Sequence, residues 1–426
     1  MRPRAANGFH SAAVCGSILA RSARRAGPPT MDQPIITSLL EQDFYKFTMG
    51  QLVLHQLPTV NVRVEFRLRT PGVDLRPLIP AIDEQLDHLC TLRFADEEIA
   101  YLRGIRFLAP DFCDYLKRLW LYREQVHVEA DPTKRGGVAI WAEGPWRDVI
   151  WFEIPVLAIV QELYMRDRVR SLAEGRRRLR RKIDAFDRHA DWGFKVADFG
   201  LRRRYSGPWH EEVIREFADR GRRFFSGTSD VYLAKKFGVS PIGTFAHELF
   251  MGVMGTDVRV SEVQRRTLDM WAHEYRGELG IGLSDIFGFR AFLRDFDLYF
   301  AKLFDGCRHD SGDPFTWGEM LIDHYRKLRI DPRTKTACWS DSLDTRRALA
   351  IARRFHDRIK VTFGIGTHLT NDMGVEPLSI VMKLTESNGF PVVKLSDSPG
   401  KSMCDDASFV EYVKQQYDWK SIDDPD

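Results

Sequence analysis

His247 and Glu248 close the run VSPIGTFAHE (239–248), directly after a short apolar segment that ends in Gly243 and Thr244. That segment reads as a strand, and in an α/β protein ligands bind and catalytic groups collect at the carboxyl ends of strands. An imidazole placed there can move a proton or accept a phosphoryl group, and Glu248 is positioned to orient the ring. Three further segments have the same character: FFSGTSD (224–230), CRHDSGD (307–313) and TFGIGTHLTND (362–372). CRHDSGD sets Arg308 beside Asp310 and Asp313. A guanidinium grips carboxylate or phosphate in two-pronged fashion, and a strand-tip aspartate can hold Mg²⁺ through water or fix a ribose hydroxyl. Asp310 is assigned to the site, and Asp313 to capping a helix that begins near Phe315. Gly227, Thr228 and Ser229, and again Gly364, Gly366 and Thr367, resemble loops that offer N–H groups and a hydroxyl to phosphate. Neither is the dinucleotide fingerprint, which needs a third glycine. Arg202, Arg203 and Arg204 follow the tip VADFG and suit an anionic small molecule. The second His-Glu pair, His273 and Glu274, has no strand before it and reads as structural.

These groups do chemistry together only if their tips converge. Beyond Lys195, short apolar runs (KVADFG, RFFSGTSD, PIGTFAHE, GIGLSDIF, GCRHDSGD, TACWSDS, VTFGIGT) alternate with helical patterns such as HEEVIREFADRG and DTRRALAIARRFHDR. Seven or eight strands in a βα rhythm predict an α/β fold, a distorted parallel α/β barrel, with a doubly wound open sheet as runner-up. In a barrel, His247, Arg308, Asp310 and Thr367 share the C-terminal face. The earlier part is α+β: strands at 62–70, 125–130 and 137–142, and helices around 83–89 and 96–103. Residues 157–188 read as one long helix, whose EGRRRLRRK stretch (174–182) is a solvated face more than a nucleic-acid patch. The longest apolar run, VIWFEIPVLAIV (149–160), is broken by Glu153 and Pro155 and too short to span a bilayer, so it reads as buried structure at a domain junction.

The chain has 426 residues, 44% hydrophobic and 29% charged, which is enough for two domains of an ordinary globular protein. A net charge of +3 gives no support to a general nucleic-acid binder. Six cysteines are scattered without metal-ligand spacing and argue for a reducing cytosol, hence a cytoplasmic location. Residues 1–30 hold five arginines, many alanines and serines and no acid; they read as a transit-like extension or an over-extended gene start ahead of Met31.

In order and spacing, TSLLEQDFYKFTMGQ (37–51), DFGLRRRYS, SGTSDVYLAKKFGV, IGTFAHE, RHDSGDP, IDPRTKT, SDSLD, GIGTHLTND and VVKLSDSPGK resemble the nicotinate phosphoribosyltransferase family over nearly everything after residue 31. The resemblance implies condensation of nicotinate with phosphoribosyl pyrophosphate to nicotinate mononucleotide and pyrophosphate, in NAD biosynthesis by salvage, with Mg²⁺ and with ATP hydrolysed as co-substrate. It implies a type II phosphoribosyltransferase fold: an α+β domain from 31–165 with 385–426, and a barrel over 166–384 carrying the site. By motif, His247 matches the histidine that ATP phosphorylates, with Arg308 and Asp310 as its catalytic company and Asp310 as the metal ligand. Thr244, Arg308 and Tyr45 match nicotinate-site positions, Tyr45 being one that relatives supply across a homodimer interface. Thr367 and Gly366 match phosphoribosyl-pyrophosphate contacts, Arg202 and Arg203 line the same pocket, and Thr228 lies on the other phosphate loop. Many bacterial relatives read FGTRR and GTSN where this chain has Leu201 and Asp230, and His368 stands where relatives often carry asparagine. The neighbouring expectations are a nicotinamide or quinolinate phosphoribosyltransferase, or a non-catalytic barrel that binds phosphorylated metabolites.

Overall fold

Strict alternation makes the first sheet. In β1 (Asn61–Leu68) every second residue from Val62 to Leu68 is buried, the pattern of a strand with one face on the core. β2 (Val126–Ala130) pairs antiparallel with β3 (Val138–Pro145), and β3 pairs antiparallel with β1. The computed structural model describes residues 33–397, 404 and 406–422, so the arginine-rich extension and the end of VVKLSDSPGK fall outside it.

The second sheet is built from short, mostly buried strands, as expected when helices cover a parallel sheet. They are β4 (Lys195–Asp198), β5 (Phe225–Thr228), β6 (Ile281–Leu283), β7 (Gly306–His309), β8 (Thr336–Trp339) and β9 (Lys360–Ile365). All run parallel in the order β5-β4-β9-β8-β7-β6. Strands adjacent in sequence are therefore adjacent in space, and β9 returns to β4. The ladder does not close between β5 and β6 among the described residues, and six strands form where seven or eight were expected.

The missing strand is the one read before His247. Residues 241–246 form no ladder; a single bridge joins Pro241 to Thr228, and Ile242 N donates to Thr228 O at 2.8 Å. Proline supplies no N–H to a ladder. Gly227, at φ +140°, lets this segment pass, since a Cβ there would lie 2.1 Å from Ser240 O.

The expected long helix is also divided, into Glu153–Met165 and Ala173–Asp187. Residues 166–172 between them are mostly charged or polar, and Ser171 Oγ accepts from Ala173 N in the turn ahead of the second helix. The first helix is buried along almost its whole length and packs against the turn Leu201–Arg203, where it joins the two sheets. The basic run on the second is a paired, solvated face: Arg176 binds Glu212, and Arg177 and Arg178 bind Glu174.

After β9 the chain returns to the first sheet. β10 (Ile380–Ser387) pairs antiparallel with β1, and β11 (Phe390–Pro391) completes the order β11-β10-β1-β3-β2. The return thus begins ahead of the 385 boundary read from the sequence. No helix among the described residues is long and apolar enough to cross a membrane.

Candidate active site

The carboxyl ends of the parallel strands and the facing edges of β1 and β10 enclose a cavity of about 430 Å³. Of the residues expected at the site, Tyr45, Arg202, Arg203, His247, Arg308, Asp310, Gly366 and Thr367 all line it. Tyr45 arrives from the same chain, because Asp43 bridges to Asp230 and docks the helix Phe44–Gln56 on the end of β5. Thr228 and Thr244 do not reach the cavity. Thr228 is fully buried and its hydroxyl donates to Asp198 Oδ2 at 2.7 Å, while Thr244 Oγ1 donates to Ile281 O at 2.9 Å across the open seam. Arg204 is likewise structural, buried on Glu41 at 2.7 Å.

His247 is the first residue of the helix His247–Met254 and is almost fully buried. Its Nε2 donates to Asp285 Oδ1 at 2.7 Å. Glu248, the expected partner, faces away onto Lys46 and Trp146 Nε1, because consecutive helical residues point about 100° apart. Asp285 also accepts from Ser311 Oγ at 2.6 Å and pairs with Lys394 Nζ at 2.8 Å. Burial works to raise the Asp285 carboxyl, but Lys394 and His247 overcome it and hold it well below the usual carboxylate range. An ionised carboxylate only accepts, so Nε2 carries the proton. Burial, then Lys394, pushes the imidazole down to about 4. At neutral pH the ring is therefore uncharged, with the Nδ1 lone pair free, 3.9 Å from Asp310 Oδ2.

The rest of the cavity is built for negative charge. Arg69, Arg202, Arg203, Arg308, Lys383 and Lys394 line it, against the carboxylates of Asp43, Glu153, Glu248, Asp310 and Asp341. Two of those carboxylates are already committed, Glu153 to Lys46 at 2.7 Å and to Arg202, and Glu248 to Lys46. Burial, with Arg202 and Arg69 beside it, lowers Arg203 to about 10. Lys383 is lowered to about 8 by burial despite Glu153, with Lys394 and Arg202 adding to the effect. Burial dominates both depressions, and the neighbouring cations deepen them. Among the described residues the Arg308 guanidinium forms no ion pair, and its Nε is buried without a hydrogen-bond partner.

Behind the loop after β5 lies a second buried cluster. His210 Nε2 meets Asp198 Oδ2 at 2.7 Å, and His210 Nδ1 stands 3.6 Å from Asp230 Oδ2. Asp230 caps the helix Val231–Phe237 through Leu233 N and is fully buried, its carboxylate turned to His210. Burial raises its carboxyl to about 7.

Asp285, Lys394, Lys383, Glu153, Asp43 and Phe199 escaped the sequence reading. Asp285 and Lys394 sit in segments that were noticed (GIGLSDIF, VVKLSDSPGK), and Glu153 was visible as a charge inside an apolar run. Lys383 lies on an alternating strand and carries no local signal.

A parallel α/β sheet, a strand-end cavity rich in cations and a neutral histidine fixed by a carboxylate define an enzyme acting on an anionic small molecule. Two family models match the chain: the nicotinate phosphoribosyltransferase N-terminal domain over residues 40–161, and the nicotinate phosphoribosyltransferase family over 194–421. The chain belongs to the nicotinate phosphoribosyltransferase family. It is 50% identical over 394 residues to the nicotinate phosphoribosyltransferase of Acidovorax sp. (strain JS42), covering 90% of this chain and 98% of that one. The Burkholderia mallei protein of the same name is 50% identical over 388 residues, covering 90% and 97%. The crystal structure of nicotinate phosphoribosyltransferase from Vibrio cholerae superposes with a TM-score of 0.87 at 37% identity, over 92% of this chain and 96% of that chain.

Proposed function

We propose that the protein condenses nicotinate with phosphoribosyl pyrophosphate, giving nicotinate mononucleotide and pyrophosphate for NAD salvage, and couples the reaction to ATP hydrolysis as a ligase. The observation that carries this reading is the meeting, in one cavity, of an Arg308 guanidinium that forms no ion pair among the described residues and the open Nδ1 of His247.

Arg308 would clamp the nicotinate carboxylate, with the aromatic rings of Tyr45 and Phe199 lining the same cavity. So held, the pyridine nitrogen faces the ribose C1 and donates its lone pair to it as the C1–O bond to pyrophosphate breaks. The leaving oxygens gather charge that Arg202, Arg203 and the lysines oppose. In the coupled half-reaction His247 Nδ1 attacks the γ-phosphorus of ATP, the bridging P–O bond breaks and ADP leaves. Water later cleaves the N–P bond, releasing inorganic phosphate. Asp285 keeps the proton on Nε2 throughout, so the nucleophile is always Nδ1.

His247, Asp285 and Asp310 bring ligand atoms within 4.8 Å of one another. As a closed cage they do not suit Mg²⁺, because Lys394 already occupies Asp285 and a ring nitrogen is a poor ligand for a hard cation. Asp310 alone suits it: its half-exposed carboxylate faces the cavity, and phosphate oxygens and water would complete the shell. An Mg²⁺ ion held by Asp310 would supply positive charge against the departing pyrophosphate.

The 240–244 segment, bonded to Thr228 at the end of β5 and through Thr244 Oγ1 to Ile281 in β6, supports reading the parallel sheet as a distorted barrel. Five described cysteines are free thiols, which fits a cytoplasmic enzyme. A homodimer belongs to the same reading, and sedimentation of the purified chain tests it. The decisive assay is product formation from nicotinate and phosphoribosyl pyrophosphate with Mg²⁺, with and without ATP, for wild type and His247→Ala. Stimulation by ATP that vanishes in the variant supports the reading. Consumption of nicotinamide or quinolinate in place of nicotinate refutes the substrate assignment.

A further inference from the structure

We propose that His368, its ring held by Thr345, is a hydrogen-bond donor to the substrate phosphate that seats on the Gly366–Thr367 loop. The proposal rests on the phosphoribosyl-pyrophosphate reading above and adds a residue to it.

His368 lines the same cavity as Gly366 and Thr367 and follows them directly in the chain. Its Nε2 lies 3.2 Å from Thr345 Oγ1, at the start of the helix Thr345–Phe355. Its Nδ1 has no hydrogen-bond partner among the described residues. The backbone beneath the ring is pinned, since Lys182 Nζ donates to the main-chain oxygen of His368. Lys182 and Arg178 both pair with Asp372, at 2.7 and 2.6 Å.

Electrostatics then decide which form the ring takes. The groups facing it are Lys182 and Arg178 from one helix, Asp372 beyond the loop and Asp344, the cap of the helix that carries Thr345. Burial, then Lys182, holds the imidazole neutral, down to about 4. A neutral ring has one N–H, and a threonine hydroxyl can rotate to serve either tautomer. An anion in the cavity selects the tautomer with the proton on Nδ1, and the Thr345 hydroxyl turns to donate to Nε2. The result is a positioned donor for phosphate oxygen on a pinned loop, without a full charge buried beside Lys182.

The test is isothermal titration of the full-length protein with phosphoribosyl pyrophosphate and Mg²⁺, and separately with nicotinate. For His368→Leu, phosphoribosyl-pyrophosphate affinity should fall about 10-fold, the low end for a hydrogen bond to a charged group, while nicotinate affinity holds. His368→Asn, which keeps a donor, should recover most of the loss, and Thr345→Val should show a partial loss. Unchanged affinity in His368→Leu or in Thr345→Val overturns the proposal. So does an asparagine variant as weak as the leucine one, or an equal loss for nicotinate, since either would mean that the ring only props the loop. A wild-type protein that binds no phosphoribosyl pyrophosphate refutes the parent reading, and this one with it.

Discussion

Asp285→Asn separates the orienting carboxylate seen in three dimensions from the one suggested by sequence. Asp285 is 2% exposed and receives His247 Nε2 at 2.7 Å, Lys394 Nζ at 2.8 Å and Ser311 Oγ at 2.6 Å. At 2.8 Å, with an effective dielectric constant of about 20, the Lys394 pair alone represents roughly 6 kcal/mol of gross attraction. Removing one partner of a buried pair costs about 3–5 kcal/mol net. The low end applies here, because Asp310 Oδ2 remains 3.9 Å from the same ammonium. The amide also no longer dictates that Nε2 carries the proton, so a large share of rings would present a protonated Nδ1 to ATP. Loss of the wanted tautomer and of imidazolium stabilisation costs about 10²- to 10⁴-fold in comparable histidine–aspartate pairs. The assay is the single-turnover rate of phosphohistidine formation from γ-labelled ATP, alongside a denaturant unfolding curve. Asp285→Asn should lose about 3 kcal/mol and at least 100-fold in phosphorylation rate. Glu248→Gln should weaken the Lys46 contact yet phosphorylate within a few-fold of wild type, since Glu248 does not touch the ring. Fast phosphorylation in Asp285→Asn, or its collapse in Glu248→Gln, would refute the assignment.

Three further outcomes are expected. Because His247 titrates at about 4 in the folded chain and near 6.5 unfolded, the unfolded state takes up the proton first as pH falls. Stability should therefore fall as pH drops from 6.5 to 4, by up to roughly 3 kcal/mol, and this group should leave it unchanged above 6.5. The phosphorylation rate should likewise hold to about pH 5 and fall toward 4; an acid limb centred near 6.5 would count against a neutral buried ring. Asp230→Asn should raise stability progressively as pH climbs from about 4 to 7, because there the unfolded carboxyl is ionised while the buried one, raised to about 7, is not; the gain should be complete above 7 and small at pH 4. The full linkage is roughly 4 kcal/mol, with the lowering by His210 and Arg204 already contained in the raised value; urea melts at pH 4 and pH 8 measure it. In Gly364→Ala the new Cβ would lie 2.2 Å from the Phe199 ring and drive it toward the cavity, so nicotinate affinity should drop at least 10-fold with circular dichroism unchanged. Unaltered nicotinate binding would remove Phe199 from the site.

Local chemistry carried far in this chain. Alternation in Val62 to Leu68 wrote the first sheet, and the βα rhythm wrote the second. Strand tips rich in glycine, arginine and aspartate marked the cavity, because parallel strands bring all their carboxyl ends to one side. Asp313, expected to cap, does so by accepting from Phe315 N and Thr316 N. The sequence by itself therefore determined which residue types would meet, and around which sheet. Tertiary structure alone decided their pairings. Glu248 is next to His247 in the chain, but helical rotation turns it to Lys46, while Asp285 arrives from another strand end. Thr228 and Thr244 had the right chemistry, yet the open seam and the buried Asp198–His210 pair consumed their hydroxyls. Lys383 and Lys394 enter only because β10 and the segment beyond it fold back over the strand ends. Sequence spacing sets the neighbours along an element, whereas a hydrogen bond or ion pair is settled by distances of a few ångströms between elements, which only the packed core fixes.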